Sequence, residues 1–221
     1  MLEKLMQLDT ELLLYINGIN SPFGDNFFSM YTDILIWVPL YALILYTIFK
    51  KHGMRGFWIL LALVLVITLC DQISSSLIKP GVARLRPTRE PSLEGLIHIV
   101  NGYRGGRYGF ISSHAANSFG LAAFSAMLFR RPAYTIFIFL WAIINSYSRM
   151  YLGVHYPGDI LGGTILGLLA GWSVYLLYAK VIRTRHRDMI EGPRSVYDTR
   201  LIIYSGVIMV ITIALASKAL I

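Results

Sequence analysis

The chain has 221 residues, of which 56% fall in the AVILMFWYC set and 14% are charged, and its mean hydropathy is +0.59. A soluble domain carries about 25% charged residues, so an average cytosolic domain, a disordered chain and a collagen-like repeat are all excluded, and the composition is that of a membrane protein. The net charge of +8 then raises the question of where the cations sit, since a chain this apolar enters lipid rather than binding nucleic acid, and they serve topology, anionic lipid or an anionic ligand.

Residues 1–20 form an amphipathic segment expected to lie in the membrane interface. Glu3, Asp9 and Glu11 interrupt what would have to be the basic and apolar regions of a signal peptide. A hydrocarbon core of ~30 Å takes about 20 helical residues, which predicts spans at 27–49, 57–78, 115–129, 132–147, 160–179 and 201–221. Asp33 and Pro39 are irregularities in the first span, and Asp71, Gln72 and Ser74 to Ser76 make the end of the second polar. The single cysteine, Cys70, lies in that second apolar run and offers neither a disulfide framework nor a thiolate metal site. Gly163, Gly167 and Gly171, in register with Asp159, predict close helix packing along the fifth span. The whole chain, 1–221, reads as one all-α domain, an integral membrane six-helix bundle.

Two segments are too polar for the bilayer: 79–114, with three prolines and six cations, and 180–200, also with six cations. Six spans put both termini on one face. The loops at 50–56, 130–131 and 180–200 share the other face and hold 11 cations. Nine remain on the terminal face, and setting aside Lys79, Arg86 and Arg149 as ligand-binding candidates leaves six. The positive-inside rule then places the first face in the cytoplasm and the 79–114 loop outside. Arg183, Arg185 and Arg187 read as a cytoplasmic anchor. The run Asn101-Gly102-Tyr103-Arg104-Gly105-Gly106 reads as a flexible loop, and His52, His98 and His186 receive no role.

This topology gathers four helix ends on one face, with Lys79 and Arg86-Pro87, Ser112-Ser113-His114, Ser148-Arg149, and His155 with Asp159. Ionisable groups beside membrane spans usually mark a site, and three cations with two imidazoles suit an anion. Phosphoryl transfer fits the set. Lys79, Arg86 and Arg149 would neutralise the transferred group, and Ser112 and Ser113 at a helix start would add donors. Asp159, four residues after His155 across a proline-opened helix start, would hold one ring nitrogen and leave the other to attack phosphorus. His114 would protonate the leaving oxygen.

Lys79-x6-Arg86-Pro87, Ser112-Ser113-His114 and Ser148-Arg149-x5-His155-x3-Asp159 together resemble the three-part signature of the type 2 phosphatidic acid phosphatase superfamily, which includes lipid phosphatases, bacterial acid phosphatases and vanadium haloperoxidases. The second part is usually Pro-Ser-Gly-His and here is Ile111-Ser112-Ser113-His114. The resemblance covers 79–159 and the helices around it. It implies a phosphohistidine at His155, an orienting Asp159, a general acid at His114, phosphate binding by Lys79, Arg86, Ser112, Ser113 and Arg149, and no metal or other cofactor. It also implies a six-helix core with the site at the outer face. The amphipathic start and two spans before the first motif resemble bacterial undecaprenyl-diphosphate and lipid A phosphatases.

The expectation is therefore a lipid phosphatase of a bacterial inner membrane, whose partners are a lipid phosphate substrate and the surrounding lipids, with oligomeric state left open. Undecaprenyl diphosphate and lipid A are favoured as substrates over phosphatidylglycerol phosphate or phosphatidate, with the 88–110 loop setting head-group choice through Arg89, Arg104 and Arg107. The rival from another class is an anion or phosphate transporter. That reading predicts internal repeats with broken spans, and it gives His155 and Asp159 nothing to do.

Overall fold

The computed structural model describes residues 2–185 and 197–221. The side chains of Arg183, Arg185, His186 and Arg187 lie outside what it describes. Among the described residues every regular element is helical, and one isolated antiparallel bridge joins Leu85 to Tyr108. The helices are α1 Leu2–Gly18, α2 Pro22–Tyr31, α3 Val38–His52, α4 Gly56–Asp71, the short α5 Lys79–Val82, α6 Ser113–Phe129, α7 Pro132–Tyr151, α8 Pro157–Arg185 and α9 Arg200–Ala219. A π-helical segment, Gln72–Ile78, carries α4 into α5.

Local chemistry sets most of these ends. Ser21 and Ser112 cap α2 and α6 by accepting backbone N–H bonds from Gly24 and Ala115. Pro22, Pro132 and Pro157 stand first in α2, α7 and α8, where a missing N–H has no consequence. The apolar run at 27–49 is two helices rather than one span, because the chain turns between them. There Asp33 Oδ1 accepts the Leu35 N–H at 2.9 Å, and the Trp37 indole donates to the Tyr31 carbonyl at 2.7 Å. A short polar side chain that bonds its own backbone competes with the helix ladder, and Pro39 then suits the first turn of α3.

Among the described residues, three helical stretches are long and apolar enough to cross a membrane: Val38–Val82 with 45 residues, Pro157–Ile182 with 26 and Arg200–Ala219 with 20. The first is broken at Gly53, which sits at φ +53°. Their outward faces are apolar, with Val64, Ile165, Trp172, Ile208 and Ile211 exposed. The chain is an integral membrane protein.

Helix α6 runs through the centre, with Ala115, Ala116, Ala122 and Phe124 buried. It meets α8 along the three glycines. A Cβ at Gly167 would lie 2.8 Å from the Gly120 nitrogen, and one at Gly171 would lie 2.9 Å from Ala123 Cβ. That approach brings the starts of α6 and α8 together, where the Ser112 N–H donates to the Asp159 carbonyl at 2.9 Å. Helix α1 is fastened at the same end. Leu13 is buried with Leu93 and Tyr156, and Asn17 donates to the Tyr151 carbonyl at 2.7 Å.

Candidate active site

The long segment between α5 and α6 is pinched at its base by the Leu85–Tyr108 bridge. The Arg86 N–H donates to the Arg107 carbonyl at 3.1 Å, and the Gly109 N–H donates to the Arg84 carbonyl at 2.9 Å. Residues two apart on an extended segment share a face, and both Arg84 and Arg86 turn toward the start of α8. Arg86 Nε donates to the Tyr108 carbonyl at 3.2 Å and its Nη1 reaches the Val154 carbonyl at 3.5 Å. Gly105, at φ +63°, makes room for this guanidinium, since a Cβ there would lie 2.5 Å from Nη1.

At the end of α7, Arg149 is 2% exposed. Its Nη1 donates to Thr32 Oγ1 at 2.8 Å and its Nη2 to the Tyr103 hydroxyl at 2.9 Å, while Nε has no partner among the described residues. Burial pushes the Tyr103 phenol up, but the charge and hydrogen bond of Arg149, with Arg86 behind it, hold it below its ordinary value.

The start of α8 carries the imidazole–carboxylate pair. His155 Nδ1 lies 3.2 Å from Asp159 Oδ2, which also accepts the Tyr156 N–H at 3.0 Å. Both side chains are essentially inaccessible. Burial and the charges of Arg86, Arg149 and Lys79 hold the His155 pKa well below its usual value, with the Gly109 carbonyl pulling weakly the other way. The ring is therefore neutral. With Nδ1 facing a carboxylate, its proton belongs on Nδ1, and Nε2 keeps a free lone pair.

At the start of α6, the Ser113 hydroxyl bonds Ser74 Oγ at 2.8 Å, Ser75 Oγ at 3.0 Å and the Lys79 ammonium. Asp71, in the polar end of the second predicted span, accepts from Ser75 at 3.4 Å. His114 stands exposed on the first turn, beside the His155 ring and within range of the charges of Arg149, Arg86 and Lys79. Lys79, Arg86, Ser113, His114, Arg149, His155 and Asp159 thus converge from four helix ends. Ser112 is placed differently: its side chain is buried, and its hydroxyl accepts the Ala115 N–H at 3.3 Å as the cap of α6.

Arg84, Thr32 and Tyr103, outside the expected set, bond directly to it, and Asp9 joins it through Arg84. Arg84 Nη1 reaches Asp159 Oδ1 at 3.3 Å and its Nη2 reaches Asp9 Oδ2 at 2.7 Å, while Thr32 and Tyr103 hold Arg149. Arg84 reads in sequence as one more loop cation, and Tyr103 as part of a glycine-rich loop. Only the closed loop base gives either a partner.

A family profile described as PAP2 superfamily matches residues 57–183, more than half the chain. The chain belongs to the PAP2 superfamily. Within it, this PAP2 protein is 46% identical over 212 residues to the lipid A 4'-phosphatase of Bacteroides thetaiotaomicron, covering 94% of both chains. It is 38% identical over 178 residues to the lipid A 4'-phosphatase of Porphyromonas gingivalis, covering 80% of this chain and 75% of that one. Its fold is similar to that of a crystal structure of a transmembrane PAP2-type phosphatidylglycerolphosphate phosphatase from Bacillus subtilis. The TM-score is 0.64 at 23% identity, over 82% of this chain and 90% of that one. The PAP2 protein is an integral membrane phosphatase.

Proposed function

We propose that this PAP2 protein removes the 4'-phosphate of lipid A, as a single domain whose six membrane spans hold the site at the outer face of a bacterial inner membrane. The substrate rests on the 46% identity that runs through 94% of both chains with the Bacteroides enzyme. The chemistry rests on one observation, the buried His155–Asp159 pair beside Arg86, Arg149 and Lys79. The six-span reading divides the 45-residue stretch at Gly53 into two crossings and adds α6, α7, α8 and α9. Helix α6, with 17 residues, is about 25 Å long, short for the hydrocarbon core but packed against α4, α7 and α8.

His155 Nε2 attacks phosphorus, the bond from phosphorus to the sugar oxygen breaks, and His114 gives its proton to that oxygen. Asp159 keeps the proton on Nδ1 and stabilises the positive charge the ring acquires. Water then attacks the phosphohistidine, with His114 taking a proton from it, and inorganic phosphate leaves. Arg86, Arg149 and Lys79 neutralise the equatorial oxygens throughout. Ser112 contributes by capping the helix start that carries Ser113 and His114.

The test is phosphate release by purified protein from lipid A, undecaprenyl diphosphate and phosphatidylglycerol phosphate. Preference for lipid A with loss in His155→Ala supports the reading, and preference for either other lipid replaces the substrate. Because the clamp is built from cations, activity should survive chelators and be blocked by vanadate, which mimics five-coordinate phosphorus. Strict dependence on Mg²⁺ or Zn²⁺ refutes the mechanism.

A further inference from the structure

Asp159 is fully buried, and a carboxylate out of water needs a countercharge or fixed donors to keep both its charge and its orientation. Its two oxygens are divided. Oδ2 takes the His155 ring and the Tyr156 N–H, while Oδ1 takes Arg84 at 3.3 Å. Arg84 is itself fixed on two further sides: its guanidinium lies 3.7 Å over the Tyr156 ring, and its Nη2 is 2.7 Å from Asp9 on α1. Asp9 is anchored in turn, since its Oδ1 accepts the N–H of Gly158 in the first turn of α8 at 2.6 Å. The fit at that point is tight. A Cβ on Gly158 would lie 2.9 Å from Asp9 Oδ2. Both Nη groups of Arg84 are thus directed at carboxylates, unlike the donors of Arg149, so Arg84 is not part of the phosphate clamp.

We propose that Arg84, gripped between Asp9 and Asp159, is a positioning residue that fixes which Asp159 oxygen faces His155, and that α1 is thereby a working part of the active site. The proposal rests on the reading of His155 as nucleophile. A charge relay of minus, plus, minus runs from α1 to the imidazole, and it acts on His155 in two ways. It holds the ring in the attacking orientation, and it sets how much of the Asp159 charge the ring feels.

The test uses the full chain in detergent, with Arg84→Gln, Asp9→Asn, the double variant and Arg84→Lys measured beside the parent and His155→Ala. Arg84→Gln should lower kcat by about a hundredfold, the cost of misplacing a reacting group by an ångström, with little change in KM. Asp9→Asn keeps the acceptor for Gly158 but removes the charge, so it should lower kcat less, and the double variant should be no worse than Arg84→Gln alone. Arg84→Lys should recover part of the loss.

The pH profile separates positioning from mere support. His155 is faced by Arg86, Arg149, Lys79 and His114, and Asp159 by Arg84, Arg86 and Lys79; all but Arg84 stay in place. Removing the Arg84 cation should let the His155–Asp159 pair take up its proton at higher pH, and removing the Asp9 anion at lower pH. The acid limb of kcat/KM should therefore move in opposite directions in the two variants. Unchanged kcat in Arg84→Gln, a rise in KM alone, or additive losses with no movement of the limb would each overturn the proposal. Should Arg84→Gln fail to fold, Asp9→Asn decides by whether its limb moves down. An active parent silenced in His155→Ala secures the underlying reading, and an active His155→Ala overturns both.

Discussion

Arg149 is the most buried cation of the site, and its fork is bonded only to two neutral hydroxyls, with Nε unpartnered among the described residues. A phosphate dianion supplies what that guanidinium lacks, and Tyr103 sits where a phosphate oxygen would compete for Nη2. Arg149→Lys keeps the charge but loses the fork, so kcat/KM should fall by about a hundredfold, the cost of removing one transition-state donor. Steady-state phosphate release measures it, and a parent-like value removes Arg149 from the clamp. His114 carries a different prediction. As the proton donor it matters only while the leaving oxygen needs a proton, so His114→Ala should be nearly inactive on a sugar phosphate and largely active on an aryl phosphate with a very good leaving group. Equal losses on both substrates would end that role. His155 also links stability to pH. Its folded pKa lies well below the usual 6.5, so above that value the ring is neutral in both states and the stabilisation is complete. As pH falls below about 6.5 the unfolded chain takes up the proton first, and stability is lost until the folded pKa is reached. The Tm of the parent should therefore drop more steeply between about pH 7 and 5 than that of His155→Gln, as read by thermal scans in detergent.

The contact of α6 with α8 carries the site as much as the bundle, because Ser112 to His114 begin one helix and Asp159 lies in the first turn of the other. At Gly167 an added side chain meets the backbone of Ala116 and Gly120 rather than a flexible side chain. Gly167→Val should cost about 1–3 kcal/mol, as overpacking does, and should also lose phosphatase activity by parting the two helix starts. Thermal unfolding and phosphate release measured on one sample would show both, and full activity at lowered stability would uncouple the contact from the site. This glycine register was legible in the sequence because a four-residue period is a helical one. So were the starts of α6, α7 and α8, which Ser112, Pro132 and Pro157 fix by local chemistry. The break between Tyr31 and Val38 was not, since Asp33 and Pro39 look like flaws in one apolar run until the Asp33–Leu35 bond is seen. The phosphate-site candidates stood out because their residue types at those spacings have few structural uses. Arg84 and Asp9 stayed hidden for the opposite reason. Each is ordinary in its own stretch, and the pairing of Arg84 with Asp159 spans 75 residues and depends on the loop closing at Leu85 and Tyr108.

At the scale of the molecule, an apolar exterior surrounds a bundle that concentrates its buried ionisable groups at one end. The cations of 50–56 and 130–131 lie at the other end of the helices that lead to the site. The positive-inside rule predicts that such a body sits with the site outward, where the head group of an outer-leaflet lipid would reach it without crossing the core. The chain allows this to be tested directly, because Cys70, its single cysteine, is buried and does not compete for a membrane-impermeant thiol reagent. Leu96, in the loop on the site side, is 62% exposed, and Met54, in the turn between α3 and α4 at the opposite end, is 84% exposed. In intact spheroplasts Leu96→Cys should be labelled and Met54→Cys protected, with Met54→Cys labelled only after permeabilisation. The reverse pattern would put the site in the cytoplasm, and the substrate would then have to be a lipid of the inner leaflet.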